Sequence, residues 1–155
     1  MGSSGRPSKL YEVFYIKNGV TQYFIKPLKM KSGDVKFKID FTLRSNLTQD
    51  GDVTCNFSLL SKEPIKKIEL ATLSNSSNKA SINNLEKIFI EKQGKDYHLR
   101  YTSTMKFSDF SNLSKSKFST INIDGISFEI PKKMLKKLSK IDESVIEIIE
   151  LNFED

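Results

Sequence analysis

Between Val35 and Leu43 every second residue is apolar: Val35, Phe37, Ile39, Phe41 and Leu43 alternate with Lys36, Lys38, Asp40 and Thr42. Successive side chains of a strand point to opposite faces, so this period of two places one row in a core and the other in water. A polar loop ending in Asp50-Gly51 follows, and the pattern then resumes. Val53, Cys55, Phe57 and Leu59 alternate with Thr54, Asn56 and Ser58. The two runs read as one long hairpin.

Three further hairpins carry turn chemistry at their centres. Tyr11–Ile16 and Val20–Ile25 flank Lys17-Asn18-Gly19, and Lys87–Glu91 and Tyr97–Thr102 flank Gln93-Gly94-Lys95-Asp96. Phe118–Ile123 and Ile126–Ile130 flank Asp124-Gly125, a pair that tolerates the positive φ of a tight hairpin turn. Lys67–Leu73 and Ser144–Phe153 read as single strands, the second because it is rich in β-branched residues. Two helices interrupt the series. Ser108 can cap a short turn through Leu113, and Pro131 opens a helix to Ile141 with Met134, Leu135, Leu138 and Ile141 along one stripe.

Together these elements predict an all-β, mainly antiparallel fold. The expected form is a sandwich or barrel of about ten strands built from hairpins, with one short amphipathic helix before the last strand. Residues 1–9 read as a flexible leader and 10–155 as a single antiparallel β domain.

Composition narrows the chemistry. Cys55 is the only cysteine and His98 the only histidine, so a zinc site lacks its ligands and an intrachain disulfide lacks a partner. Cys55 falls in the apolar row, where burial raises a thiol's pKa and leaves it inert. His98 lies off the Tyr97, Leu99, Tyr101 row, with no nucleophile placed beside it by the pattern. Aspartates are scattered without a calcium-loop spacing, and glycines occur singly, without a phosphate-binding run. No enzyme activity, metal or cofactor is expected. A lone cysteine suits a reducing, cytoplasmic setting, and no apolar run approaches the ~20 residues of a membrane-spanning helix.

The basic residues remain. The formal net charge is +6, and lysine supplies nearly all of it, because arginine occurs only at Arg6, Arg44 and Arg100. Scarce arginine argues against sequence-specific reading of duplex DNA. Lys26, Lys29, Lys31, Lys36 and Lys38 gather around the start of the long alternating run, and Lys132, Lys133, Lys136, Lys137 and Lys140 decorate the second helix. Lysines in a helix's first turn oppose its dipole, a cost that a bound anion would relieve. Lys132, Lys133, Lys136, Lys137, Lys36 and Lys38 are therefore the candidate polyanion-binding residues.

Three functions fit these features. The first is a non-enzymatic binding or structural module that engages a protein partner, or a second copy of itself, through a sheet face or loops. The second is a nucleic-acid or polyanion binder working through the lysine clusters. The third is a β-barrel that holds a small ligand.

Overall fold

The computed structural model describes residues 10–115 and 118–154; the expected leader lies outside them. These residues form nine antiparallel strands: β1 Tyr11–Tyr15, β2 Thr21–Ser32, β3 Val35–Arg44, β4 Asp52–Ser61, β5 Ala71–Ser74, β6 Lys79–Gln93, β7 Asp96–Lys106, β8 Thr120–Ile123 and β9 Ile126–Glu129. All nine join in one sheet, in the order β1-β2-β3-β4-β7-β6-β5-β8-β9. Helix α1 spans Phe107–Ser114, α2 spans Lys132–Ile141 and α3 spans Glu147–Leu151, with a wider π turn, Asp142–Ile146, joining the last two.

The sheet curls into a half-barrel that brings β9 back beside β2. Irregularities sit where bending is needed. The register of β2 against β3 shifts between Ile25 and Leu28, at Lys26-Pro27. A bulge bends a strand, and it is one of the few places where a sheet tolerates proline. The register of β6 against β7 shifts twice, between Asn83 and Glu86 and again between Lys87 and Phe89. One long strand thereby serves β5 at its beginning and β7 over the rest.

The expected hairpins are all present, several with longer arms than their alternation suggested. The tight turn at Asp124-Gly125 takes positive φ at both residues, 47° and 90°. Its Asp124 carboxylate also accepts the backbone N–H groups of Glu69 and Leu70, at 2.7 to 3.1 Å. That anchor holds Lys67 to Leu70 outside any strand, so only the end of the expected Lys67–Leu73 strand joins β5.

Two expectations are corrected. Of the expected sandwich or barrel of about ten strands, the described residues form one curled half-barrel sheet of nine strands. The missing strand is Ser144–Phe153, which is helical throughout its described length and continues α2 instead of following it as a strand. Leu138, Ile141, Val145 and Ile149 recur at three- and four-residue intervals and are all buried. That helical stripe outweighs the β-branched composition, because burial against a core decides what local propensity leaves open.

These helices fill the concave side. Phe37, Ile39, Phe41 and Leu43 of β3 and Val53, Cys55, Phe57 and Leu59 of β4 are buried, as the alternation requires. Phe41 packs on Phe110 of α1 with ring centroids 4.8 Å apart, and Phe37 stacks on Phe128 of β9 at 4.9 Å. Met134 and Leu135, expected on the buried stripe of α2, are only half-buried, while Leu138 and Ile141 are fully enclosed.

Phe41 is central to both layers, so Phe41→Ala should cost about 3–5 kcal/mol, the range for emptying a buried aromatic site. Urea unfolding measures it, and a loss below about 1 kcal/mol would contradict the packing described.

Candidate anion-binding face

Directly opposed residues of an antiparallel pair share a face, so the register lays out the convex surface in rows. The first row runs Lys31, Lys36, Leu60, His98 and Glu91 across β2, β3, β4, β7 and β6. The second runs Lys29, Lys38, Ser58, Arg100 and Phe89. Below them Asp40, Asn56, Thr102 and Glu86 form a third row.

The first two rows contain an uncommon arrangement. Lys29 faces Lys38, and Lys31 faces Lys36, so two like-charged pairs stand side by side on β2 and β3. Spacings of ~5 Å between strands and ~7 Å along them make a compact grid of positive charge. All four lysines are exposed, and none is paired with a carboxylate among the described residues. Like charges set directly opposite each other destabilise a sheet by tenths of a kcal/mol per pair.

Arg100 extends the basic surface onto β7. Its Nη1 donates to Ser58 Oγ at 2.7 Å, and its Nη2 donates to Asp40 Oδ2 at 3.3 Å. The Arg100 side chain remains 31% exposed while the Asp40 side chain is only 7% exposed. Burial raises the Asp40 pKa above the ordinary carboxylate value, and the Arg100 hydrogen bond and charge act against that rise. Asp40 Oδ1 and Asn56 Oδ1, on register partners, are both buried without a hydrogen-bond partner. A proton on the carboxyl, or the Asn56 amide turned to present its N–H, would join them.

The six residues expected to bind anions are divided between two elements, β3 and α2. Lys36 and Lys38 belong to the convex grid together with Lys29 and Lys31. Lys132, Lys133, Lys136 and Lys137 lie on α2, whose Leu138 and Ile141 dock into the concave core. Lys137 is half-buried and the other three are exposed. The first turn of α2 holds no acidic residue, as the sequence implied, and Pro131, expected as the first helical residue, is instead the N-cap, with no side-chain cap hydrogen bond. Asp40, Ser58 and Arg100 were not identifiable from the sequence, because only the register of three separate strands brings them together.

Cys55 is fully buried opposite Phe41, and burial pushes its thiol pKa far up, with a smaller contribution from Asp40. His98 is half-buried on the convex face in a T-shaped contact with Phe89, ring centroids 5.0 Å apart, and its Nδ1 is buried with no hydrogen-bond partner among the described residues. No group of three or more metal-ligating side chains occurs among the described residues. No helix of the described residues is long and apolar enough to cross a membrane.

This geometry defines a class by form alone: an antiparallel half-barrel with a helix-filled concave side and a polar, partly basic convex face. Comparison with family models, curated proteins and solved structures finds no match for the chain.

Two outcomes follow. Arg100→Gln should cost about 1–3 kcal/mol at neutral pH, because it leaves a buried carboxylate without its charged donor. Asp40→Asn should cost less, since the exposed guanidinium keeps its hydration and the new amide can donate to Asn56 Oδ1. With its folded pKa raised, Asp40 holds a proton to higher pH in the folded state than in the unfolded one. Its contribution is therefore present at acid pH and declines as pH rises from the ordinary carboxylate value through the raised one. Urea midpoints across that range should show this decline in the wild type minus Asp40→Asn difference, and a difference that instead grew with pH would refute it. Separately, Cys55 should react with a thiol reagent only after denaturant is added; prompt labelling of the native protein would place the sulfur at the surface.

Proposed function

We propose that this chain is a non-enzymatic binding module whose convex sheet face holds a polyanion. The observation that supports the reading is the pair of cross-strand lysine pairs, Lys29 with Lys38 and Lys31 with Lys36. Isolated exposed lysines need no partner, but two opposed pairs on adjacent positions accept a steady electrostatic cost that an anion would reverse. Arg100, in the same row as Lys29 and Lys38, adds a hydrogen-bonding fork to the grid.

A protein partner reached by strand addition is the second reading. Among the described residues, β6 beyond its pairing with β5 has one edge with no strand beside it from Asn83 to Gln93, and Ile88 on that stretch is 51% exposed. An open edge is a template for another chain. Two register shifts and the charges of Glu86, Lys87, Glu91 and Lys92 interrupt this one. Bulges and charges are the devices by which edges avoid such pairing, so the edge supports a partner less well than the lysine grid does. A ligand-holding interior gains little support, because the inward rows of β3 and β4 pack against α1, α2 and the segment after α2.

Replacing Lys29, Lys31, Lys36 and Lys38 together with glutamine should raise stability by a few tenths of a kcal/mol per opposed pair. It should also abolish binding to heparin or single-stranded DNA at low salt, together with the salt dependence that counterion release produces. The same exchange at Lys132, Lys133, Lys136 and Lys137 should leave binding largely intact. Absence of binding by the wild type at low salt, or equal binding by the β2–β3 variant, would remove the polyanion reading.

A further inference from the structure

Resting on the polyanion reading, we infer that the convex face accepts single-stranded nucleic acid, with Phe89 as the ring on which a base stacks. The second row is more than basic: it begins with Lys29 and Lys38, passes through Ser58 and Arg100, and ends at Phe89. Phe89 is half-exposed on the same face as these cations. The edge of its ring contact with His98 is set at 82°, a T-shaped arrangement that braces the phenyl group.

Single-strand binders combine a basic track for the backbone with aromatic side chains for the bases. The row supplies both, in that order across the sheet. From Lys38 to Phe89 are three inter-strand steps, roughly 14 Å at ~4.8 Å each, which a strand of a few nucleotides covers. The charge pattern gives the path a direction. Phosphates belong over β2 and β3, where the four lysines lie, and bases belong over β7 and β6, where Glu86 and Glu91 would repel phosphate. Carboxylates there can instead accept the exocyclic amines of bases. A simple sulfated or carboxylated polymer would use the lysines and ignore the ring. Of the aromatic residues near the lysines in sequence, Tyr23 and Phe37 are buried and cannot take part, while Phe24 is half-buried opposite Thr42, two rows from Lys38.

The test compares a short oligothymidylate, an abasic oligonucleotide of the same length and heparin, titrated against the intact protein at low salt. The oligothymidylate should bind about tenfold or more tighter than its abasic counterpart, the size of effect one stacked base produces. Phe89→Ala and Phe89→Leu should erase that difference without changing heparin affinity, and Phe89→Tyr should restore it. Equal affinity for the two oligonucleotides, or a preference that survives Phe89→Leu, overturns the base-stacking inference while leaving polyanion binding in place. Failure of all three probes to bind overturns both.

Discussion

An open, curled sheet has an inner face that must be covered, and covering it organises the rest of this molecule. The inward rows of β3, β4 and β7 bury Phe37, Phe41, Phe57, Leu99 and Tyr101, so they need an apolar partner along their whole length. Among the described residues no second sheet provides one, although the curl brings Phe128 of β9 onto Phe37. The cover comes from Phe107, Phe110 and Leu113 of α1, and from Leu138, Ile141, Val145 and Ile149 in the helical stretch from α2 to α3. At roughly 1.5–3 kcal/mol for each large apolar side chain enclosed, this contact outweighs any local preference of the covering segments.

That weighting explains what the sequence disclosed and what it hid. Strands announce themselves locally when one face is wet, and Val35 to Leu43 is legible for that reason. Turn residues did the same for Asp124-Gly125. Residues 144–153 offered no such clarity, because Val145, Ile146, Ile148 and Ile149 suit a strand by composition and a helix by spacing. The deciding fact is the concave face waiting for a helix, which is a property of distant residues. Lys67 to Leu70 repeats the lesson on a smaller scale: a carboxylate far along the chain, Asp124, holds it out of the sheet.

The candidate site was legible in part. Lysines at 36 and 38 were clearly outward-facing, yet their meaning depends on which residues stand opposite. Register fixes that Lys38 meets Lys29 and not an acid, and a bulge at Lys26-Pro27 contributes to the alignment. Arg100 and Asp40 were equally opaque. They are separated by sixty positions in the chain and meet only because β4 lies between β3 and β7, with Ser58 offering a further acceptor. The α2 lysines, by contrast, were legible as a helix start without acidic residues, and the first turn of α2 has none.

The two faces of the sheet therefore obey opposite rules. On the concave side the apolar rows of β3, β4 and β7 are constrained by packing, and the outcome is a tightly enclosed core. On the convex side, hydroxyl and amide residues such as Thr42, Thr54, Thr102 and Thr104 would suffice for a solvated sheet. Against that neutral background the lysine grid and the Arg100–Asp40 pair are departures that folding does not require. A buried ion pair adds little net stability once desolvation is counted, and opposed lysines subtract some. What both do is fix charge in space. Asp40 and Ser58 hold the guanidinium of Arg100 at the middle of the row, between the lysines and Phe89, and on the proposed reading an anion would meet it already in position. Orientation established in advance lowers the cost of binding, and among the described residues the lysines of α2 have no ion pair that would supply it.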